Sequence, residues 1–349
     1  MPLSRVTMQD VARAAGVHQT TVSLALRNDP RLPARTRDKI RAAARQLHYR
    51  PDPMLSALNF YRASRDAVKA PPAMAFLLNF ADEGELAESH PHRLFRDGAR
   101  RQAAELGYRL EVFFVGHGAD AGAQMQRVLR ARGISGVILA AFGDKTIEFH
   151  LDWRLFSAVL IESHQLRLSL HTISNHQEAV TREAIRRLHR LGYRRIGLAV
   201  GEREEFYLQN AFTAGYHVEV AQTPELVPVP PLLLQGSIDQ IGRRVGPWVR
   251  RHRLDAVICN WANFAVLLRA TGLRAPRDVV VVSLDVNPDA GPAAGMRQNH
   301  RIVGERAVEQ LAGLMRSNVR GLVDTPNTTL IEGRWVNGPG VPRRAQVIL

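Results

Sequence analysis

The sequence predicts a small, all-helical N-terminal domain followed by an α/β core of two doubly wound parallel-sheet lobes. Three observations lead to this fold class. Residues 7–50 carry three short helical patterns, separated first by Gly16 and then by a turn that contains prolines. From about Ala73, short apolar runs alternate with helical patterns, as in parallel sheets that are covered on both faces. This alternation continues to near the end of the chain, which is more than one sheet comfortably accommodates, so we expect two lobes.

The first helical pattern begins after Thr7. The Thr7 hydroxyl can accept a hydrogen bond from the first turn, and Asp10 three residues later favours the same helix end. Gly16 can adopt a positive φ and so ends the helix in a tight turn. The apolar face is predicted to consist of Val11, Ala12 and Ala15. These features indicate a short amphipathic helix that is followed directly by a second one.

The second helix is expected to begin near Gln19. Its first turns present small polar side chains, which suit hydrogen bonds to base edges and phosphates. These side chains are Gln19, Thr20, Thr21 and Ser23. A third helix follows Pro33, with an apolar stripe from Ile40 to Leu47 and a basic opposite face. Taken alone, the helix–Gly–helix pattern is equally compatible with a helical hairpin inside a larger core.

The charge distribution favours a nucleic-acid-binding head. The whole chain has a net charge of +14. Residues 1–69 contain 13 Lys and Arg against 5 Asp and Glu, whereas the other 280 residues contain 34 against 28. More than half of the excess positive charge therefore lies in the first fifth of the chain, as expected for a head that binds phosphates. A solvated basic surface is the alternative.

A proline-bounded linker follows the third helix. Pro51 and Pro53 end that helix, and the next segment, MLSALNFY, could form only about two helical turns. It places Leu55 and Leu58 in a basic linker, where apolar side chains need a surface to bury them. DNA could supply that surface, because apolar side chains can wedge between base steps from the minor groove.

Together these residues resemble the head and hinge of the LacI/GalR (lactose repressor/galactose repressor) family of bacterial regulators. The matching residues are Thr7, Asp10, Val11, Ala12, Ala15, Gly16, Val17, Thr21, Val22, Ser23, Leu26, Thr36, Arg37, Tyr49, Pro51 and Leu58. The resemblance implies that Leu58 is inserted at the centre of the operator. His18 stands where relatives often have Ser, Leu24 replaces a common Arg, and Leu55-Ser56 replaces Ala-Arg, so no relative's operator sequence can be carried over.

The resemblance and the exposed polar pattern predict one set of DNA-contacting residues. Side chains at the start of the second helix are expected to enter the major groove, and Arg27, Arg31 and Thr36 to anchor phosphates. The complete set is Thr7, His18, Gln19, Thr20, Thr21, Ser23, Leu24, Arg27, Arg31, Thr36, Tyr49, Leu55 and Leu58. The predicted partners are palindromic double-stranded operator DNA and a second copy of the chain.

The core resembles the same family more loosely, through landmarks such as Gly98, Gly107-Tyr108, Gly136 and Gly304. The resemblance implies a core similar to periplasmic sugar-binding proteins, with two lobes, three crossovers and a ligand in the cleft. The stretch from Asp82 to His92 is expected to be a polar loop between the first strand and the first core helix.

Ligands of doubly wound folds bind at the carboxyl ends of the strands. The residues predicted to contact an effector there are His176, Phe212, Asn260, Trp261, Asp285 and Gln298. Phe212 and Trp261 replace polar residues common in the family, which favours a flatter pocket suited to stacking. A carbohydrate is the favoured ligand; a nucleobase, another small metabolite or no ligand are the alternatives, and core packing is the alternative role for Phe212 and Trp261.

Other classes of protein are not favoured. No run of about 18 apolar residues predicts a membrane span, and the N-terminus lacks the apolar segment of a secretory signal. The single cysteine, Cys259, cannot form an intrachain disulfide, which suits a reducing bacterial cytoplasm. Metal-ligand spacings, a P-loop, G-x-S-x-G and a strand-linked GxGxxG are missing, so we expect no metal, no cofactor and no enzymatic activity.

The sequence therefore predicts a cytoplasmic, nucleoid-associated, homodimeric transcriptional regulator, in the first place a repressor, with a small molecule controlling it allosterically. We expect a helix-turn-helix domain at 1–51, a hinge helix and linker at 52–72, and a two-lobed effector-binding and dimerisation core at 73–349. A leucine heptad is missing from the C-terminal segment, which favours a dimer over a tetramer. The alternatives are an α/β sugar- or nucleoside-processing enzyme with a DNA-binding head, and an architectural DNA-binding protein with a ligand-free core.

Overall fold

The computed structural model describes most of the chain. The described residues are 6–26, 29, 31–47, 49, 71–115, 120–142, 149–163, 166–261, 264–287, 293–338 and 340–342. Three predicted DNA contacts, Arg27, Leu55 and Leu58, lie outside them, as does nearly all of the predicted hinge.

The head consists of three helices that pack on one another. They are α1 (Met8–Ala15), α2 (Gln19–Leu26) and α3 (Ala34–Gln46). As predicted, Thr7 and Asp10 form a capping box, in which each side chain accepts a hydrogen bond from the other residue's backbone N–H. Gly16 has a φ of 66° and ends α1. The shared core comprises Val11, Ala12, Ala15, Val22, Ala25, Ile40, Ala43 and Ala44.

The first lobe is built on a six-stranded parallel sheet with the order β2-β1-β3-β4-β5-β11. Its strands are β1 (Ala73–Leu78), β2 (Arg109–Phe114), β3 (Gly136–Ala140), β4 (Ser157–Ile161), β5 (His171–Asn175) and β11 (Thr328–Ile331). Its helices are α4 (Glu83–Glu88), α5 (His90–Glu105), α6 (Ala121–Ala131) and α12 (His300–Arg316), with a 3-10 turn at Trp153–Leu155.

The second lobe carries a six-stranded sheet with the order β7-β6-β8-β9-β10-β12, in which the β10–β12 pair is antiparallel and the other pairs are parallel. Its strands are β6 (Ile196–Gly201), β7 (Leu232–Leu234), β8 (Ala256–Cys259), β9 (Val280–Ser283), β10 (Gly295–Arg297) and β12 (Arg334–Val336). Its helices are α7 (Gln177–Arg190), α8 (Glu202–Tyr207), α9 (Ala211–Gln222), α10 (Ile238–Arg251) and α11 (Phe264–Ala270). The predicted fold class, a helical head and a two-lobed α/β core, is confirmed.

The chain passes between the lobes three times. The first crossover lies at His176 between β5 and α7, the second at Gln298 and Asn299 between β10 and α12, and the third at Glu332 and Gly333 between β11 and β12. The number of crossovers matches the one implied by the family resemblance.

Helix α12 returns the chain to the first lobe, where it packs tightly on α5. A Cβ atom on Gly304 would overlap the carbonyl oxygen of Phe95 and lie 2.8 Å from the backbone nitrogen of Ala99. A Cβ atom on Gly98 would overlap the carbonyl oxygen of Arg301 in the same way. The two glycines therefore allow the helix backbones to approach each other directly.

The expectation of a polar loop from Asp82 to His92 is wrong. The segment forms α4 and the first turn of α5, and the Asp82 side chain caps α4 by accepting a hydrogen bond from Glu85 N at 3.0 Å. The segment was not recognised because α4 has a single buried apolar side chain, Leu86, which gives no periodic pattern.

None of the helices in the described part of the chain is long and apolar enough to cross a membrane.

Candidate DNA-binding face and inter-lobe cleft

The structure brings the predicted major-groove residues together at the start of α2. His18, Gln19 and Thr20 are exposed, and Thr21, Ser23 and Leu24 are half-buried beside them. Val22 and Ala25 on the opposite side of the helix are fully buried in the head core, which fixes the orientation of the exposed face. A helix presented in this way has the form required to enter a major groove.

His18 caps α2 in place of the Ser that is common in the family. Its Nδ1 accepts a hydrogen bond from Thr20 N at 3.4 Å and lies 2.9 Å from Thr20 Oγ1. Because Nδ1 acts as the acceptor, the imidazole proton is assigned to Nε2. His18 therefore has a structural role in addition to its predicted contact with DNA.

Among the phosphate anchors predicted within the described residues, Arg31 already has a partner in the head. Arg31 is exposed and binds Asp29 with two hydrogen bonds, from Nη2 to Oδ2 at 2.7 Å and from Nε to Oδ1 at 3.0 Å. The Asp29 carboxylate raises the pKa of Arg31. The Thr7 hydroxyl donates to Asp10 Oδ2 at 2.7 Å. Arg31 is therefore held at the turn before α3 and would have to exchange Asp29 for a phosphate.

Thr36 lies near the start of α3, and Tyr49 lies beyond its end. Thr36 is half-buried in the first turn, where its N–H donates to Pro33 O at 3.0 Å. Tyr49 is half-buried after the helix and packs against the head core.

In the core, the carboxyl ends of strands from both sheets carry polar side chains that meet between the lobes. His300, the first residue of α12, lies with its Nε2 2.8 Å from Asp285 Oδ2, which follows β9 in the second lobe. On its other side, His300 Nδ1 lies 3.0 Å from Asn175 Nδ2 at the end of β5 in the first lobe. His300 is 4% exposed, so this bridge is enclosed between the two lobes.

The Glu162 carboxylate, at the end of β4, accepts hydrogen bonds at the first-lobe end of this network. Its Oε1 accepts hydrogen bonds from Asn175 N at 2.9 Å, Asn175 Nδ2 at 3.0 Å and Gln177 Nε2 at 3.0 Å. Glu162 has a φ of 48° and the neighbouring strand end at Ala141 has a φ of 64°. Such left-handed backbone in residues other than glycine is costly and occurs preferentially at functional sites.

The pKa values of His300 and of His92, a nearby residue in α5, are shifted in opposite directions. Burial alone would lower the pKa of His300, but the hydrogen bond to Asp285 and the charges of Asp285 and Glu162 raise it above its ordinary value. Burial, and to a lesser extent the charge of His300, lower the pKa of His92 in α5 to about 3. The His92 ring stands edge-on to the rings of Phe80 and Phe95, which shield part of it from water.

Of the predicted effector contacts, Asp285, Asn260 and Trp261 lie at strand ends of the second lobe. Asn260 Oδ1 accepts a hydrogen bond from Gly201 N at 3.2 Å, which joins the ends of β8 and β6. Trp261 is half-buried, and its Nε1 lies 3.0 Å from the position that a Cβ atom on Gly201 would occupy. The Glu204 carboxylate lies closer still to that position, so Glu204 fills the space beside the indole there.

The other three predicted effector residues occupy different environments. Gln298 is buried and donates from Nε2 to Leu284 O at 3.0 Å. His176 lies in the first crossover, with Nδ1 2.7 Å from Glu332 Oε1 in the third. Phe212 is 2% exposed and packs with Tyr216 in the core of the second lobe, so the core-packing alternative describes this residue.

Sequence reasoning missed His300 and Asn175 as parts of the site. Asn175 ends a strand that was not predicted, and His300 begins a helix that was not predicted. The nearest sequence signal is Gln298, a family landmark two residues before His300.

The described residues show neither a metal centre nor a reactive thiol. They contain no group of three or more His, Cys, Asp or Glu side chains that could hold a metal ion. Cys259 is 1% exposed, and burial raises its pKa to about 12, so it is a protonated core residue at neutral pH.

Comparison with known proteins gives one family-model match, "Bacterial regulatory proteins, lacI family", over residues 7–52. The chain is 29% identical over 136 residues to the transcriptional regulator DegA of Bacillus subtilis, which spans 39% of this chain and 36% of DegA. It is 26% identical to the transcriptional regulator Rv3575c of Mycobacterium tuberculosis over 97% of this chain and 99% of the relative. The match to DegA thus spans about a third of that relative's length.

Two solved structures share the fold along nearly the whole chain. A complex of the transcriptional regulator CelR with cellobiose has a TM-score of 0.60 at 18% identity and covers 96% of this chain and 100% of its own. A lac repressor dimer bound to operator and the anti-inducer ONPF has a TM-score of 0.58 at 23% identity and covers 97% and 100%.

Proposed function

We propose that this chain, which belongs to the lacI family of bacterial regulatory proteins, is a homodimeric repressor that binds a palindromic operator and is released or recruited by a small molecule in the inter-lobe cleft. Its role as a DNA-binding transcriptional regulator is the premise. The observation that carries the proposal is the exposed polar start of α2, held by a buried apolar face within the region that matches the family.

The proposed contact with DNA uses the head in two ways. Gln19, Thr20 and Thr21 enter the major groove and select bases, while Arg31 leaves Asp29 for a phosphate. Two heads related by a two-fold axis read the two halves of the palindrome. The supporting structural relative is a repressor dimer on its operator.

The proposed hinge contact involves Leu58, which lies outside the described residues. The hinge segment is too short to be a stable helix alone, so DNA and the partner's hinge are expected to stabilise it. A change in lobe closure would alter the spacing of the two hinges and so couple the effector to the operator.

The proposed effector is a carbohydrate that contacts Asp285, Asn260 and Trp261. Carboxylate and amide groups can hydrogen-bond sugar hydroxyls, and the face of an indole ring can pack on the apolar face of a sugar ring. Support comes from the cellobiose complex of a protein with the same fold. We propose no enzymatic activity, because the relatives are named as regulators.

The test of DNA recognition begins with selection of binding sites from random duplex DNA by the full chain. Gln19→Ala is expected to weaken binding to the selected site by about 5- to 150-fold, the effect of losing a good base contact. Gln46→Ala at the end of α3 is the matched control, since Gln46 is equally exposed on another helix. Equal losses for both variants, or selection of no common sequence, would contradict the proposal.

The test of the effector is a thermal-shift screen of the full chain with neutral sugars. A sugar that raises the melting temperature should lose most of its effect with Asp285→Asn and keep it with Gln19→Ala. If no sugar shifts the melting temperature, the carbohydrate assignment is wrong.

A further inference from the structure

The three crossovers between the lobes are joined to one another by hydrogen bonds. Asn299 N in the second crossover donates to Asn175 Oδ1 beside the first, at 3.1 Å. Asn299 Nδ2 donates to Glu332 O in the third crossover at 2.6 Å, and His176 reaches Glu332 Oε1 at 2.7 Å. A movement of one lobe against the other must therefore act on this network.

Two hydrogen-bond partners require the same orientation of the Asn175 amide group. Its Oδ1 accepts from the backbone N–H of Asn299, so the oxygen must face that nitrogen. Its Nδ2 donates to the Glu162 carboxylate, which can only accept. The group that Asn175 presents to His300 Nδ1 at 3.0 Å is consequently its NH₂ group.

This orientation determines the protonation of His300. A donor facing Nδ1 requires that nitrogen to be an acceptor, so the proton lies on Nε2 and is donated to Asp285 Oδ2 at 2.8 Å. The arrangement seen is thus that of a neutral imidazole that holds a carboxylate of the second lobe against α12 of the first.

A second proton on His300 is incompatible with this arrangement. An Nδ1–H group would face the NH₂ group of Asn175, and turning the amide over would place its oxygen against Glu162 and its NH₂ against the N–H of Asn299. Protonation is nevertheless favoured by two carboxylates, because Asp285 and Glu162 raise the pKa of His300. The two arrangements therefore compete.

The remaining groups around His300 come from α5. The His90 ring lies 6.0 Å from the His300 ring, and His92 is close enough for its pKa to be lowered by His300. Phe95 packs edge-on at 5.2 Å. The titratable and charged groups that face His300 are therefore His90, His92, Glu162 and Asp285.

We propose that His300 is the positioning residue of the inter-lobe cleft. Asn175 fixes the neutral imidazole with its proton on Nε2, and this N–H group orients the Asp285 carboxylate. When His300 binds a second proton, it forms an ion pair with Asp285, and Asn175 is released from its hydrogen bonds to the crossovers. The proposal rests on the proposed use of the cleft, because it adds proton control to the carboxylate assigned to the effector. At low pH, His300 and Asp285 form an ion pair between the lobes, and the hydrogen bonds among the crossovers are weakened. At high pH, the crossovers are hydrogen-bonded as in the structure.

The test is a side-chain ¹⁵N NMR titration of the histidines in the full chain between pH 5.5 and 9, with the His300 signals assigned by their loss in His300→Gln. At the high-pH end we expect the Nε2–H tautomer. Asp285→Asn should lower the pKa of His300 by about one unit or more, since it removes an adjacent opposite charge. Asn175→Asp should raise it, because a carboxylate accepts from Nδ1–H. His176→Gln, at the other histidine of the crossovers, is the control and should leave it unchanged.

Three results would overturn the proposal: an Nδ1–H tautomer at high pH, a His300 pKa that neither Asp285→Asn nor Asn175→Asp moves, or an equal shift with His176→Gln. The tautomer is read in the wild-type protein, so it does not depend on the folding of any variant. The titration also needs no effector. A failed sugar screen with the expected tautomer would reject the carbohydrate and keep His300, whereas the reverse result would reject His300 alone.

Discussion

The helical head and the inter-lobe cleft assemble their candidate functional residues in opposite ways. The described residues of the head that are predicted to contact DNA lie between Thr7 and Tyr49, and neighbouring helices position them through a small shared core. The cleft network runs from Glu162 to Glu332, and its members meet because the chain crosses between lobes three times. Local capping determines the first site, and long-range packing determines the second.

The two regions also respond differently to departures from the family pattern. At His18 an unusual residue takes over the capping role, since an imidazole nitrogen can accept the same backbone hydrogen bond as a hydroxyl oxygen. At Phe212 an aromatic side chain replaces a polar residue common in the family and lies in the core, with no polar atom to offer a ligand. A cap needs only an acceptor, whereas a ligand contact needs a particular group at a particular place.

The largest expected effect tests the dependence of the core on long-range packing. Gly304→Ala should destabilise the core by about 3 kcal/mol or more, because the new Cβ would overlap the backbone of α5 and two packed helices would have to separate. Urea unfolding monitored by circular dichroism measures the effect.

Gly313→Ala is the matched control on the same helix. Apart from its chain neighbours and the backbone of its own helix, no atom lies within 4 Å of a Cβ atom at Gly313, so this change should be neutral or stabilise by up to about 1 kcal/mol. Similar free energies of unfolding for the two variants would show that the close approach of α5 and α12 is unimportant.

An intermediate effect is expected from acid. His92 has a pKa of about 3 in the folded chain and an ordinary value near 6.5 when unfolded, so the unfolded state takes up its proton first as the pH falls. The stability due to neutral His92 is present above about pH 6.5 and lost below it, by about 2 kcal/mol at pH 5.

His92→Phe should flatten this acid limb of the stability curve, measured by urea unfolding from pH 7.5 to 5. His300 has a raised pKa, so its contribution has the opposite sign: it is present below about pH 6.5 and lost as the pH rises through the raised value. If the free energy of unfolding falls as steeply with decreasing pH in His92→Phe as in the wild type, the low pKa assigned to His92 is wrong.

The smallest effect concerns the head. His18→Ala should destabilise α2 by about 1 kcal/mol, the usual cost of losing an N-cap acceptor, and His18→Ser should restore most of it. Amide hydrogen exchange in residues 19–26 measures this locally and separates it from the core. If His18→Ser protects those amides no better than His18→Ala, His18 is not the cap.

Much of the architecture could be predicted where local patterns were strong. The capping box at Thr7, the positive φ of Gly16 and the buried stripe of α3 follow from residue types at helical spacing. The strands β1, β3, β4, β6, β8 and β9 were recognisable as short apolar runs. By contrast, α4 has one buried side chain and gave no pattern, and Pro247 stands inside α10, whose buried residues nevertheless keep helical spacing.

The sequence by itself determined the head: its helices, its turn, its exposed polar face and its resemblance to lacI-family regulators are readable within some fifty consecutive residues. Only the tertiary structure decided the cleft. Whether Phe212 faced a ligand or the core, and that His300 would join Asp285 to Asn175, depended on the crossovers and on the close packing of α5 and α12. The physical reason is range: helix caps and turns act over three or four residues, whereas the protonation and orientation of a buried side chain are set by every group that encloses it.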